Sequence, residues 1–322
     1  MATAEQLKAL IRSHLGDDQE RFYTIALQVA AHEAQQGHGA LAHEIREIVD
    51  KSRQERGPRI VKFPVDLRGL VLAEEPDTTK QSIVMPETLL FRMERVIHEY
   101  RQQSKLKTHG LLHRRKLLLI GPPGTGKTMT ARVLAHELRL PLYIVQVDKL
   151  VTKFMGETSA KLRQIFDLIL QEPGVYLFDE FDAIGGARTL ENDVGEMRRV
   201  LNAFLQFIEL DASDSLIVAA TNSPTLLDRA LFRRFDDVLS YTLPENKERK
   251  RLIQNVLGAF FPLNFMWSAV LRESKGLSHA EIDAACCDAV KQTILADETN
   301  VTGPLLRQML AERKGMQPKL RE

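Results

Sequence analysis

Residues 121–128 read GPPGTGKT, with the apolar run KLLLI before them and a helical pattern over 129–138 after them. The spacing G-x-x-x-x-G-K-[ST] between a strand and a helix is that of a phosphate-binding loop, which confines the surrounding fold to the α/β class. Gly121, Gly124 and Gly126 free the backbone for conformations in which successive N–H groups turn inward around phosphate oxygens. The helix that follows adds its unsatisfied N–H groups and the positive end of its dipole to the same anion. Lys127 is placed to reach β- and γ-phosphates and Thr128 to offer its hydroxyl to Mg²⁺, while Pro122, Pro123, Thr125 and Met129 complete the expected cradle. A glycine turn beside a surface lysine is the plainer reading, but strand, motif and helix all favour the loop.

Residues 175–180, VYLFDE, deliver Asp179 and Glu180 from the end of a buried strand. One carboxylate can hold the hydration shell of a divalent ion. The other can orient and deprotonate a water for in-line attack on a γ-phosphate. Residues 216–222, LIVAATN, make a second apolar strand ending in Asn222, whose amide could bond both water and phosphate on a neighbouring strand; alone, an Asn before Ser-Pro is a turn residue. In LDRALFRRFD, residues 227–236, Arg233 and Arg234 follow a short helical stretch. Guanidinium groups can stabilise charge spread over a transferring phosphoryl group, whereas without context an arginine pair forms surface ion pairs.

The chain has 322 residues, enough for two or three domains, and 44 Lys plus Arg against 43 Asp plus Glu. That balance supplies no global basic field, which argues against a nucleic-acid partner or an anionic membrane surface. The apolar runs are too short for a membrane span and MATAEQLKAL has no signal-peptide core, so a soluble, cytoplasmic protein is expected. The two cysteines, Cys286 and Cys287, are neighbours on an expected helix and are read as small hydrophobes in a reducing compartment.

Four regions are expected. Residues 1–57 carry helical stripes: Leu7, Leu10, Ile11 and Leu15; Phe22, Ile25, Ala26 and Val29; Leu41, Ile45, Ile48 and Val49. Residues 58–76 read as a linker, entered through the charged stretch KSRQERGPRIVKFP that Gly57, Pro58 and Pro64 punctuate. Over 77–243 strands alternate with amphipathic helices, which predicts a five-stranded parallel sheet covered on both faces, with strands at 117–120, 142–147, 175–178, 216–220 and 238–243. Residues 244–322 are expected to be all helical, a small domain in which Ser278 and Glu281 form a capping box and Ile282, Cys286, Ala289, Val290 and Ile294 line a buried face.

GPPGTGKT, VYLFDEFDAI, AATN and LDRALFRRFD, in this order, resemble the ATPase core of the AAA family, the clade of katanin, spastin and the proteasomal ATPases. The resemblance covers about residues 80–300. It implies a P-loop domain followed by a helical lid, a magnesium-ATP cofactor set, and assembly into a homo-oligomeric ring, usually a hexamer, that acts on protein substrates with a protease or other effector in trans conceivable. Arg233 and Arg234 would then complete the site of a neighbouring subunit. GLSHAEI at 276–282 is similar to the family's lid string and would bring Gly276 and Ala280 near the adenosine, and Gly110 and Leu111 occupy a place matched to backbone contacts with adenine. Lys153, Phe154, Met155 and Gly156, in KFMGET between a strand and its helix, match a pore loop that grips unfolded polypeptide; the alternative is that Phe154 packs onto the core. Residues 185–199 could form a second pore-facing loop or a surface loop. The chain lacks H-E-x-x-H, and where many relatives carry Asp-Gly-Phe it has Glu209, Leu210 and Asp211. A nucleotide-gated regulator with slow turnover is the alternative to a motor.

Overall fold

The computed structural model describes residues 67–316 apart from 68, 151–154, 182–192, 224–228 and 263–264, and residues 25–54 apart from 28, 32 and 35–37. The chain divides into two units, Met1–Lys62 and Phe63–Glu322. In the first, residues 25–27 and 29–31 are helical and α1 spans Gly39–Gln54. Ala26 and Val49 pack together there, while Leu41, expected in a buried stripe, is exposed. The stripe at 7–15 and Phe22 lie outside the described residues.

The second unit is built on one six-stranded sheet in the order β1-β3-β4-β5-β2-β6. Its strands are β1 (Val71–Glu74), β2 (Lys116–Ile120), β3 (Leu142–Val145), β4 (Val175–Phe178), β5 (Leu216–Thr221) and β6 (Asp237–Ser240). Strands β2 to β6 run parallel, in register Leu117↔Val218, Leu118↔Val238 and Tyr176↔Ile217. These are the five expected strands, and every residue of β4 and β5 is buried, as strands covered on both faces require. The expected count is corrected by β1, which lies inside the stretch read as linker and pairs antiparallel with β3, Val71 opposite Val145.

Side chains alternate between the two faces. On one, Leu117, Leu119, Leu177 and Val218 pack against Met93 and Val96 of α2 (Glu87–Arg101) and Val133 and Leu134 of α4 (Lys127–Leu138). Each such buried aliphatic side chain contributes roughly 1.5–3 kcal/mol relative to exposure. On the other, Phe178 meets Phe166 of α6 (Met155–Gln171) and Phe204 of α7 (Asp193–Leu210), with ring centroids 6.2 and 5.0 Å away. Short helices α3 (Gln103–Thr108), α5 (Val147–Leu150) and α8 (Arg229–Phe232) connect the larger elements.

After β6 the chain is helical, as expected: α9 (Asn246–Leu257), α10 (Trp267–Glu273), α11 (His279–Leu295) and α12 (Gly303–Gly315). They share a core of their own around Leu252, Ile253, Val270, Ile282, Cys286 and Leu310. Ser278 accepts from the Glu281 N–H and Glu281 accepts from the Ser278 N–H at 2.7 Å, so the capping box is present. On α11 the buried stripe is Ile282, Ala285, Cys286, Ala289 and Thr293; Val290 is half-buried and Ile294 exposed, because the helix outruns the core by its last turn. Cys286 is buried and Cys287 half-buried, both as free thiols.

Residues 83–85 tie the two cores together by simple alternation. Ile83 and Met85 point into the sheet's core, and Val84, between them, into the helical one.

A buried ion pair fixes the amino edge of the sheet. Arg115, just before β2, pairs with Asp211, and its Nη2 also donates to the Asp211 carbonyl at 2.5 Å, with the two side chains only 8% and 2% exposed. Removing one partner leaves a buried, uncompensated charge. Asp211→Ala is therefore expected to cost about 3–5 kcal/mol of unfolding free energy, measured by chemical denaturation.

The same edge holds His113, buried beside Tyr100 with ring centroids 5.2 Å apart and no hydrogen bond to either ring nitrogen. Burial, and then the charge of Arg115, hold its pKa below the ordinary 6.5, and burial does the same for His279. The unfolded chain takes up these protons near pH 6.5 while the folded chain does not, so stability is intact above that pH and falls as pH drops through it. Denaturation midpoints at pH 7.5 and 5.5 should show this loss. It should shrink in His113→Phe.

Candidate functional site

The parallel strands β4, β5 and β2 are neighbours, so their carboxyl ends open side by side, where open α/β sheets bind ligands. From β2 the chain enters residues 121–126, which close back onto α4. Gly121 adopts φ +149° and a Cβ there would stand 2.4 Å from the Tyr241 carbonyl oxygen; Gly124 adopts φ +71° and a Cβ there would stand 2.7 Å from Ser278 Oγ. Only glycine fits either place. The Gly121 N–H donates to the Thr221 carbonyl at 3.3 Å, which sets the loop against the end of β5.

Lys127 is buried and its ammonium donates to the carbonyls of Gly121 and Pro122, each at 2.8 Å. The Thr125 hydroxyl donates to the Pro122 carbonyl at 2.8 Å, holding the arch of the loop over the lysine. On the next turn Thr130 donates to the Gly126 carbonyl at 3.1 Å and receives the Tyr241 hydroxyl at 2.7 Å. Burial raises the Tyr241 pKa far above the usual phenol range, so it stays a neutral donor.

The Thr128 hydroxyl donates to Asp179 Oδ2 at 2.6 Å, across from α4 to the end of β4. A hydroxyl and a carboxylate oxygen in contact are hard donors that suit Mg²⁺ or its water shell. Among the described residues no three acidic, His or Cys side chains converge on one point. A magnesium ion here would therefore draw most of its ligands from phosphate and water, as nucleotide-bound Mg²⁺ does.

Glu180 is exposed and sits at φ +51°, a left-handed conformation that costs a residue with a Cβ of order 1–2 kcal/mol. Two contacts hold it there. Its N–H donates to Asp179 Oδ1 at 2.9 Å, and the N–H of buried Phe181 donates to the Ala220 carbonyl of β5 at 2.8 Å. The Glu180 side chain is exposed where β4 ends, one residue after the Asp179 that accepts from Thr128. Asn222 follows β5 at the same edge and is half-buried.

Gly121 to Met129, Asp179, Glu180 and Asn222 are thus assembled at one edge. Ala280 joins them, its N–H donating to the Gly124 carbonyl at 3.0 Å, with Gly276 in the turn that leads into α11. Gly110 and Leu111 do not join. They are exposed between α3 and β2, at the amino edge, a strand's length from the loop. The segment that approaches the start of α11 is instead Ile83–Met85, through Val84, which sequence reasoning passed over; its only signal was a run of three apolar residues before Pro86.

Arg233 and Arg234 also lie at the amino edge. Asp237 pairs with Leu117 and the Asp236 N–H donates to the Lys116 carbonyl at 2.8 Å, so the arginines precede the sheet where the loop follows it. Four strand residues at about 3.3 Å each separate the two edges by ~13 Å of packed sheet. Arg233 is exposed with no partner among the described residues, whereas Arg234 pairs with Glu209 at 3.1 Å. Lys153 and Phe154 lie outside the described residues, as do the Met155 side chain, the surroundings of Gly156 and the loop at 185–192. The backbone at Met155 and Gly156 is already helical, since α6 begins at Met155.

Residues 117–243 match the family model described as ATPase family associated with various cellular activities (AAA). The chain is 34% identical over 305 residues to an uncharacterized AAA family ATPase, y4kL, of Sinorhizobium fredii, covering 92% of this chain and 90% of that protein. It is 32% identical over 239 residues to the proteasome-activating nucleotidase of Methanoculleus marisnigri, covering 70% of this chain and 57% of the nucleotidase. To the ATP-dependent zinc metalloprotease FtsH of Mycoplasmopsis synoviae it is 33% identical over 211 residues, 62% of this chain but 30% of that protein. No helix among the described residues is long and apolar enough to cross a membrane. A phosphate loop closed over a buried lysine, an acidic strand end bonded to its threonine and near full-length similarity to y4kL together make this chain a member of the AAA family of ATPases.

Proposed function

We propose that the chain is an ATP-driven ring motor that remodels, unfolds or disassembles protein substrates. Lys127 gives up its loop carbonyls for the β- and γ-phosphates, and the loop N–H groups and the start of α4 take the rest of their charge. Thr128 and Asp179 would hold Mg²⁺, which when bound would supply Lewis acidity and offset charge on the phosphates. Glu180 takes a proton from the attacking water as its oxygen bonds to the γ-phosphorus and the bond to the β-phosphate oxygen breaks, releasing ADP and phosphate. Asn222 orients that water.

The observation that carries the ring is the separation of cradle and arginines onto opposite edges of one sheet. No protomer can bring Arg233 or Arg234 to its own loop, so the cations for cleavage come from a neighbour, and a closed ring gives every loop one. Arg233, exposed and without a partner among the described residues, is the readier of the two; Arg234 must first leave Glu209. A hexamer in the cytoplasm fits this reading, as do the names of its nucleotidase and FtsH relatives.

Phe154 and Met155 are assigned to gripping extended polypeptide in the pore. Phe154→Ala should leave basal ATP turnover intact and abolish its stimulation by a reduced, carboxymethylated, permanently unfolded protein. Stimulation that survives would favour the nucleotide-gated regulator over the motor. Pull-down with Glu180→Gln in ATP should capture the ring together with its protein substrate or effector.

A further inference from the structure

Between α9 and α10 the helical domain carries the string AFFPLNFMW, residues 259–267, which holds the one tryptophan of the chain. Phe261, Phe265 and Trp267 pack against the outside of the domain's core and are only half-buried. They lean on one another, with ring centroids 5.2, 5.6 and 4.9 Å apart. Met266, between the last two, is 75% exposed. Single apolar side chains at a surface are ordinary, but three aromatic rings and a methionine gathered within seven residues make a patch, and such patches mark places where something binds. Aromatic residues and methionine are also the side chains that concentrate at the centres of protein–protein interfaces.

The charge beside the cluster selects the partner. The whole chain balances 44 basic residues against 43 acidic ones, yet residues 249–272 hold Arg249, Lys250, Arg251 and Arg272 and no Asp or Glu. Arg249 is engaged inside the domain, where it donates to the Pro244 carbonyl and to Asn246 Oδ1, each at 2.6 Å. Lys250 and Arg251 are exposed on α9, and neither has a carboxylate partner among the described residues. Lys250 reaches the cluster itself, its ammonium 5.1 Å from the centre of the Trp267 ring, where the negative face of the indole attracts a cation. An aromatic surface edged by cations complements an apolar side chain flanked by carboxylates. An anionic bilayer carries the same charge, but insertion needs several projecting apolar side chains, and here Met266 projects while the three rings pack on one another.

We propose that this face of the helical domain docks a protein partner through an acidic segment of that partner, whose large apolar side chain seats on Phe261, Phe265 and Trp267 beside Met266. The face uses no residue assigned to the nucleotide, so it goes beyond the motor reading and does not depend on how ATP is cleaved.

The test uses the full-length protein and three short fluorescent peptides: one with Leu and Trp set among Asp and Glu, one in which Lys and Arg replace the acids, and one in which Ser replaces the Leu and Trp. Fluorescence anisotropy should show saturable binding of the first peptide alone, weakening as salt is raised. Met266→Ser, and Lys250→Glu with Arg251→Glu, should each weaken that binding by about tenfold. All these positions are exposed, so ATP turnover, denaturation midpoint and assembly size should match the unaltered chain. Glu180→Gln should bind the peptide as tightly as the unaltered chain, so that a failure of the motor reading leaves the docking result standing. No binding of the acidic peptide, equal binding of all three, or binding indifferent to both variants would overturn the proposal. So would loss of assembly in Met266→Ser, which would make the face a contact between copies of this chain. Binding of the protein to phosphatidylserine vesicles that the same variants abolish, with no peptide bound, would overturn it in favour of a membrane contact.

Discussion

Glu180→Gln is expected to reduce ATP turnover by about 10²–10⁴-fold while leaving nucleotide affinity within a few-fold of the unaltered chain. The amide keeps the size of the side chain and accepts a hydrogen bond at its oxygen, but it cannot take a proton from water at neutral pH. Binding is spared because the groups assigned to the phosphates, Lys127 with the loop and Thr128 with Asp179, lie on other residues and keep their contacts. The backbone is spared too. The left-handed turn at Glu180 is fixed by its N–H on Asp179 and by Phe181 on Ala220, neither of which involves the Glu180 side chain. Single-turnover hydrolysis and titration with a fluorescent ATP analogue separate the two quantities. A variant that binds and hydrolyses as the unaltered chain does would remove Glu180 from the chemistry.

Loss of the amino-edge arginines should be at least as damaging. An arginine supplied to a transferring phosphoryl group is typically worth 10³–10⁵ in rate, so Arg233→Ala with Arg234→Ala should drive turnover to background with ATP still bound. The single variants should differ. Arg233→Ala removes an exposed guanidinium that has no partner among the described residues, and it is expected to carry most of the effect. Arg234→Ala also frees Glu209, at the end of α7, and is expected to show the smaller loss in rate. Because that ion pair is partly exposed, its removal should leave stability nearly unchanged. Turnover per subunit in the unaltered chain should rise with protein concentration as rings form.

The parts of this fold that were legible in the sequence are those whose residues see the same environment along a whole element. KLLLI, VYLF and LIVAAT are buried on both faces and read as continuous apolar runs, so the five parallel strands and their order of appearance were accessible without coordinates. The first strand was not. VLAE has its two middle residues exposed and pairs with only one neighbour at the sheet's edge, and its regularity comes from the β3 backbone rather than from its own pattern. Ile294 was misassigned because the helical period continues past the point where the core stops.

The site divides in the same way. The phosphate loop and the acidic strand end are contiguous strings whose chemistry needs adjacent residues, so spacing alone identifies them. Contacts between distant segments are another matter: Arg234 with Glu209, Arg115 with Asp211, and His279 against Val84 depend on which ends of which elements meet. Gly110 and Leu111 were drawn to the site by resemblance to a family segment that contacts adenine, but β2 carries the chain from one edge of the sheet to the other, and they stay behind at the amino edge.

The division of the catalytic apparatus between two protomers is tested most directly by mixing two inactive variants. Glu180→Gln supplies intact arginines and Arg233→Ala/Arg234→Ala supplies an intact loop and Glu180, so co-assembled rings contain boundaries at which both halves are whole. The expected result is ATP turnover in the mixture well above that of either variant alone, greatest near equal proportions. Turnover in co-assembled rings no higher than the average of the two separate variants would contradict a site shared across the subunit boundary.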